Sequence, residues 1–147
     1  MSLYEKLSIL VGLVGFGILV YQLRKINHQN HSNGLNYLYT QSASIRLELL
    51  RRPELIPYFR NGDVIAESDK DYGAACLIAE LYLNYFEHLA IQEMSLRKHD
   101  WETWLSIMED VFESSPIIKK VYVEKLNWYA PVLHELVHKS KKIKLDV

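Results

Sequence analysis

Apolar residues occupy this chain in two different rhythms. From Leu7 to Leu23 (LSILVGLVGFGILVYQL) they run almost without interruption: no charge falls between Leu7 and Tyr21, and Ser8 carries the only hydroxyl before that tyrosine. With Leu3 and Tyr4 in front, the segment reaches about 20 residues, enough to cross a hydrocarbon core of roughly 30 Å. Lipid would force its backbone to bond internally, so a helix is predicted in spite of Gly12, Gly15 and Gly17. Beyond residue 34 the rhythm becomes periodic. Leu35, Leu38, Ser42, Ile45 and Leu49 step by three and four, and Leu47 and Leu50 widen the stripe, which predicts a helix with one core-facing side. A longer helix is predicted over 69–97, where Tyr72, Ala75, Ala79, Tyr82, Leu83, Phe86 and Leu89 hold the same period. Leu77, Ile78, Leu81 and Tyr85 broaden its buried face, which places it centrally.

Two further helices follow. Trp101, Trp104, Leu105, Met108, Val111 and Phe112 form the face of one, with Asp100 as its expected cap. Ile117, Ile118, Val121, Tyr122, Leu126 and Tyr129 form the face of the other, which Ser115 can cap with Pro116 in its first position. Pro131 is expected to kink this last helix, because VLHELVHKSKKIK resumes helical composition behind it.

Between these segments lie the break signals. Residues 24–34 (RKINHQNHSNG) read as a polar stalk, with Asn33-Gly34 its strongest break. Pro53 should stop the preceding helix near Arg52, since it disfavours helical backbone in the residue before it. PELIP at 53–57 is too short for a full helix, Asn61-Gly62 marks a turn, and Ser68 or Asp69 can cap the long helix. No segment alternates as a strand would. The expected fold is therefore all-α: a transmembrane anchor at 1–25, a polar juncture at 26–34 and a small antiparallel helical bundle over 35–147.

Composition adds an orientation and removes several function classes. Of 147 residues 49% are hydrophobic, yet the mean hydropathy is only −0.09, so the apolar excess is local. Arg24 and Lys25 follow the span directly, whereas Lys6 before it stands beside Glu5; counting bases places the C-terminal domain in the cytoplasm. YQLRKINHQN holds no small-residue cleavage pattern, so an uncleaved anchor is expected. Tyr4 and Tyr21 fall where interfacial aromatics belong. The formal charge of −1 gives no basic stripe for nucleic acid, and the single cysteine, Cys76, cannot form an intramolecular disulfide. Ser8 and Gly12 form a small-xxx-small pair that permits a homodimer of anchors. The lysines of HKSKKIKLDV read as a solvated terminus.

One short motif carries chemistry. His134-Glu135-Leu136-Val137-His138 reads H-E-x-x-H and resembles the zincin type of zinc metallopeptidase, in which two histidines on one helix face bind zinc and the glutamate polarises water. The resemblance covers five residues. Its longer form is absent, since Lys141 and Lys144 stand where glycine and the third histidine belong, and among the residues after His138 only Asp146 can ligate. His28 and His31 are an incomplete metal set, and no Glu-x-x-His of a di-iron bundle occurs; Glu80 and Glu87 read as solvated or core-edge carboxylates.

The span at 7–23, the R-R-P-E-L-I-P-Y-F stretch at 51–59 and W-E-T-W followed by S-S-P at 114–116 resemble a loose group of uncharacterised bacterial single-pass membrane proteins with a small helical domain. That resemblance implies an architecture and no catalytic residue. The reading that follows is a membrane-anchored interaction or regulatory module that contacts the bilayer through residues 7–23 and binds a protein partner. The alternatives are a zinc-dependent hydrolase, with Glu135 catalytic and His134 and His138 on the metal, and a membrane-active toxin or defence effector.

Overall fold

A single helix, α1 (Leu3–Arg51), carries both apolar rhythms in one continuous rod. The computed structural model describes residues 3–140 and 142–145, except for the side chains of Leu3, Glu5 and Lys6; the flanking charges Glu5 and Lys6, and Lys141 and Asp146 in the tail, lie outside that description. At 1.5 Å per residue, α1 spans about 73 Å. It is followed by a 3₁₀ turn at Pro53–Leu55 and by α2 (Ile56–Arg60), α3 (Tyr72–Gln92), α4 (Lys98–Ser114), α5 (Pro116–Glu124) and α6 (Pro131–Lys139), with no strand among the described residues.

The polar stalk does not interrupt α1, and Asn33-Gly34 is no break. Gly34 is buried where α1 passes the end of α3, and a Cβ there would stand 2.6 Å from Oε1 of Gln92. The glycine serves a close approach between helices rather than a turn. Past it, Leu38, Ile45 and Leu49 are buried as the seam predicts, whereas Leu47 and Leu50 are 54% and 69% exposed and do not widen it. The helix stops at Arg51, and Arg52 leaves helical backbone with φ −131° ahead of Pro53, as expected.

Helix α3 is central, in contact with α1, α4, α5 and α6, and it buries Ala75, Ile78, Ala79, Leu83, Phe86 and Leu89. It is shorter than predicted at both ends. Asp71 precedes its first residue without a capping side-chain bond, while Asp69 accepts from the Asp71 amide at 2.8 Å in the turn before. The following helix also starts early, at Lys98, so Asp100 lies in its first turn instead of capping it. There the acid still faces the positive end of the helix.

Ser115 caps α5 as expected. Buried completely, its hydroxyl accepts from the Ile118 amide at 3.4 Å and donates to the Tyr58 carbonyl at 2.9 Å, which ties α5 to α2. Pro131 does not kink a helix; it opens α6 at the first position. Lys125 breaks the helical run, a 3₁₀ turn covers Leu126–Trp128, and Tyr129 and Ala130 are extended. The Ala130 amide donates to the Glu87 carboxylate on α3, so the corner is pinned to the central helix. All four prolines sit in the first turn of a helical segment, where a missing N–H costs nothing. Gly62 takes φ +79° in the expected turn after α2.

The C-terminal segment folds back on α4. Ser140 donates to Glu109 at 2.6 Å, Lys142 lies 3.3 Å from Asp110, the Lys144 amide donates to Glu113, and Ile143 is buried. The described residues there form a strap on an acidic ladder, not a free lysine tail.

Candidate functional site

The H-E-x-x-H pentapeptide lies on α6, on a helix as the motif requires. Leu133, Leu136 and Val137 anchor that helix in the core and turn His134 half inward, leaving Glu135 and His138 exposed. His134 Nδ1 shares a 2.8 Å hydrogen bond with the Tyr122 hydroxyl of α5, which leaves Nε2 as its free ring nitrogen. Glu135 is paired with Lys139 one turn on, at 3.3 Å. A catalytic zinc needs three protein ligands and an open position. The described residues gather no group of three histidines, cysteines, aspartates or glutamates, and Asp146 lies outside them. The donor set therefore fits half of a zinc centre, with the would-be base held by a lysine.

The remaining ionisable residues that the sequence singled out act as ties at the edge of the core. Glu80 pairs with Lys125, and Glu87 holds the Ala130 amide. Burial, reinforced by these two carboxylates, pushes the neighbouring Tyr129 phenol up to about 12. His31 turns away from His28: its Nδ1 lies 3.1 Å from the Ser95 carbonyl and its Nε2 3.6 Å from Asp100. The stalk is thereby fastened to the start of α4, a long-range contact that no local spacing announces. Of the aromatic residues on the predicted helix faces, Trp104, Phe112 and Tyr122 are buried and Trp101 is half-buried, whereas Trp128 between α5 and α6 is 69% exposed, with the Lys125 ammonium 4.2 Å from its ring centre.

A second set of side chains comes together without any sequence signal. Arg46 of α1 and Arg60 of α2 line the same cleft of about 250 Å³, above Tyr82, Tyr85 and Phe86 of α3. Neither arginine has a carboxylate partner among the described residues, whereas the nearby Arg51 and Arg52 both do. Tyr85 is 4% exposed, and its hydroxyl finds no hydrogen-bond partner among the described residues. Leaving a buried hydroxyl unsatisfied costs about 1–3 kcal/mol. Burial pushes that phenol well above its ordinary value, so it stays protonated as a donor.

Compared with known proteins, the chain matches no family model, no curated protein sequence and no solved structure.

Proposed function

We propose that the protein is a single-pass membrane protein whose cytoplasmic helical domain is an interaction or regulatory module for another protein. The observation that supports this reading most is the dual character of α1. It is the one helix among the described residues that is long and apolar enough to cross a membrane, and none of its apolar window is buried in protein. Over 7–23 the Leu, Ile, Val and Phe side chains thus face outward, Val20 alone half-exposed, a surface that water disfavours and a bilayer accepts. The same helix then enters the domain core at Leu38, so an antiparallel bundle would stand on its anchor without a flexible juncture. Arg24 and Lys25 favour the cytoplasmic side for the domain. The resemblance to bacterial single-pass proteins with small helical domains belongs to the same proposal.

For partner binding, the outer face of α3 offers Leu77, Leu81 and Ile91, which the described residues leave exposed. Proximity labelling from the protein in its own membrane, repeated with Leu77→Glu/Leu81→Glu, tests this. The reading expects a discrete labelled partner that the double variant loses; an unchanged labelling pattern contradicts it. Carbonate extraction of the same cells tests the anchor, since an integral protein stays with the membrane.

A further inference from the structure

The structure points to an anion site in the cleft where α1, α2 and α4 meet over α3. We propose that it binds a phosphate monoester carrying an apolar body, with Arg46 and Arg60 on the phosphate and the Tyr85 hydroxyl as a third donor. Three independent observations converge on the same place. Arg46 and Arg60 line both the 250 Å³ cleft and an adjoining cavity of about 370 Å³, and they lack carboxylate partners among the described residues. Tyr85 lines the first cavity, is almost fully buried and has an unused hydroxyl. Beside the two arginines, the second cavity is walled by Leu49, Leu50 and Ile56, which suit an apolar group.

The chemistry follows from the donors. Guanidinium forks match phosphate and carboxylate oxygens in planar, two-point fashion, and two of them match the two negative charges of a monoester near neutral pH. A neutral phenol adds a donor without adding charge. The cavities are of a size that takes small ligands, and their mixture of apolar walls with few polar groups is what such sites share.

Such a phosphate has a soluble and a membrane source. Arg46 lies 23 residues beyond Leu23 on one helix. On the anchored reading, on which this step alone rests, that is about 35 Å from the bilayer edge, several times a Debye length of about 8 Å. The site therefore takes a soluble monoester rather than a phosphatidic acid headgroup.

The full-length protein in phosphatidylcholine nanodiscs, titrated calorimetrically with phenyl phosphate and with inorganic phosphate, tests the site. Phenyl phosphate is expected to bind at least tenfold tighter than inorganic phosphate. Arg46→Gln and Arg60→Gln, both at exposed positions, should each weaken it about tenfold or more. Tyr85→Phe should weaken it severalfold while leaving the ligand-free melting temperature equal or higher, because the unused hydroxyl is gone. No binding at millimolar phenyl phosphate, or equal binding by wild type and both arginine variants, overturns the site. Phenyl phosphate binding that disappears in nanodiscs containing phosphatidic acid overturns the soluble source. Should the protein prove soluble without lipid, the same titration in buffer still reads the cleft, so failure of the anchor and failure of the site are separable.

Discussion

The two ends of α1 share one backbone and differ in every other respect. Over residues 7–23 the apolar side chains cover the whole circumference, and all but the half-exposed Val20 are exposed. Over 35–49 they form a seam that buries Leu38, Ile45 and Leu49 at 4% exposure or less, with Asn36, Thr40, Ser44 and the exposed Leu47 on the far side. The contrast teaches that period, not apolar content, is what writes a helix into a protein core. A helix apolar all round has no polar side to turn to water. Between the two ends, 24–34 has neither pattern, yet it stays helical because helix on both sides has already met the cost of nucleation.

That comparison can be broken most forcefully at the apolar end. Leu13→Lys/Val14→Lys places two charges mid-span, at about 2.5–3.5 kcal/mol each on insertion scales. Fractionation should move the protein out of the membrane pellet, while the circular dichroism melt of its domain stays unchanged. At the seam the expected effect is smaller and of the opposite kind. Leu38→Ala should lower domain stability by about 2–5 kcal/mol in a denaturant titration and leave fractionation alone, whereas Leu50→Ala should change stability by under about 0.5 kcal/mol.

At the junction between the regions, Gly34→Leu should cost about 1–3 kcal/mol, since the added side chain meets Gln92 at the helix crossing. Gly34→Ala should be nearly neutral, because the atom in the way is the movable end of a glutamine side chain. Away from α1, Ser115→Ala removes both a cap and the tie to Tyr58, for about 1–2 kcal/mol.

The smallest effect concerns the strap. The Lys119 ammonium, helped by the Lys144 amide, holds the Glu113 carboxyl below its ordinary value of 4.5. A depressed folded value means that this contribution is complete above about 4.5 and fades as pH falls through the lower folded value. The protection factors of the Ile143 and Lys144 amides, each rate taken relative to its intrinsic rate at the same pH, should therefore fall as pH drops through that range before those of the core amides respond.

Much of this architecture was legible because it is local. The uniformly apolar helix over 7–23, the seam from Leu35 to Leu49, the period of α3 and the Ser115-Pro116 start each lie within a few turns of chain. The errors share a cause as well. Asn33-Gly34 carries the composition of a turn, but the glycine answers to Gln92, which lies 58 residues later. Pro131 fits either a kink or a helix start; what decides is a corner at Tyr129–Ala130 held by Glu87 of a different helix. Asp100 suits a cap and instead faces His31. The site divides in the same way. H-E-x-x-H is visible as a pentapeptide, but whether a third ligand joins it is a question of tertiary structure. Arg46, Arg60 and Tyr85 are unremarkable in sequence and meet only because three helices cross.

One unbroken helix carries the apolar run at 7–23 into the core. Spin labels at Leu23→Cys and Leu47→Cys, both exposed positions, in a Cys76→Ala background would measure it by electron–electron distance in nanodiscs. A continuous helix predicts a narrow distribution at about 36 Å, the rise over the 24 steps from Leu23 to Leu47. A broad distribution, or a peak well short of that distance, would contradict it and restore a flexible juncture.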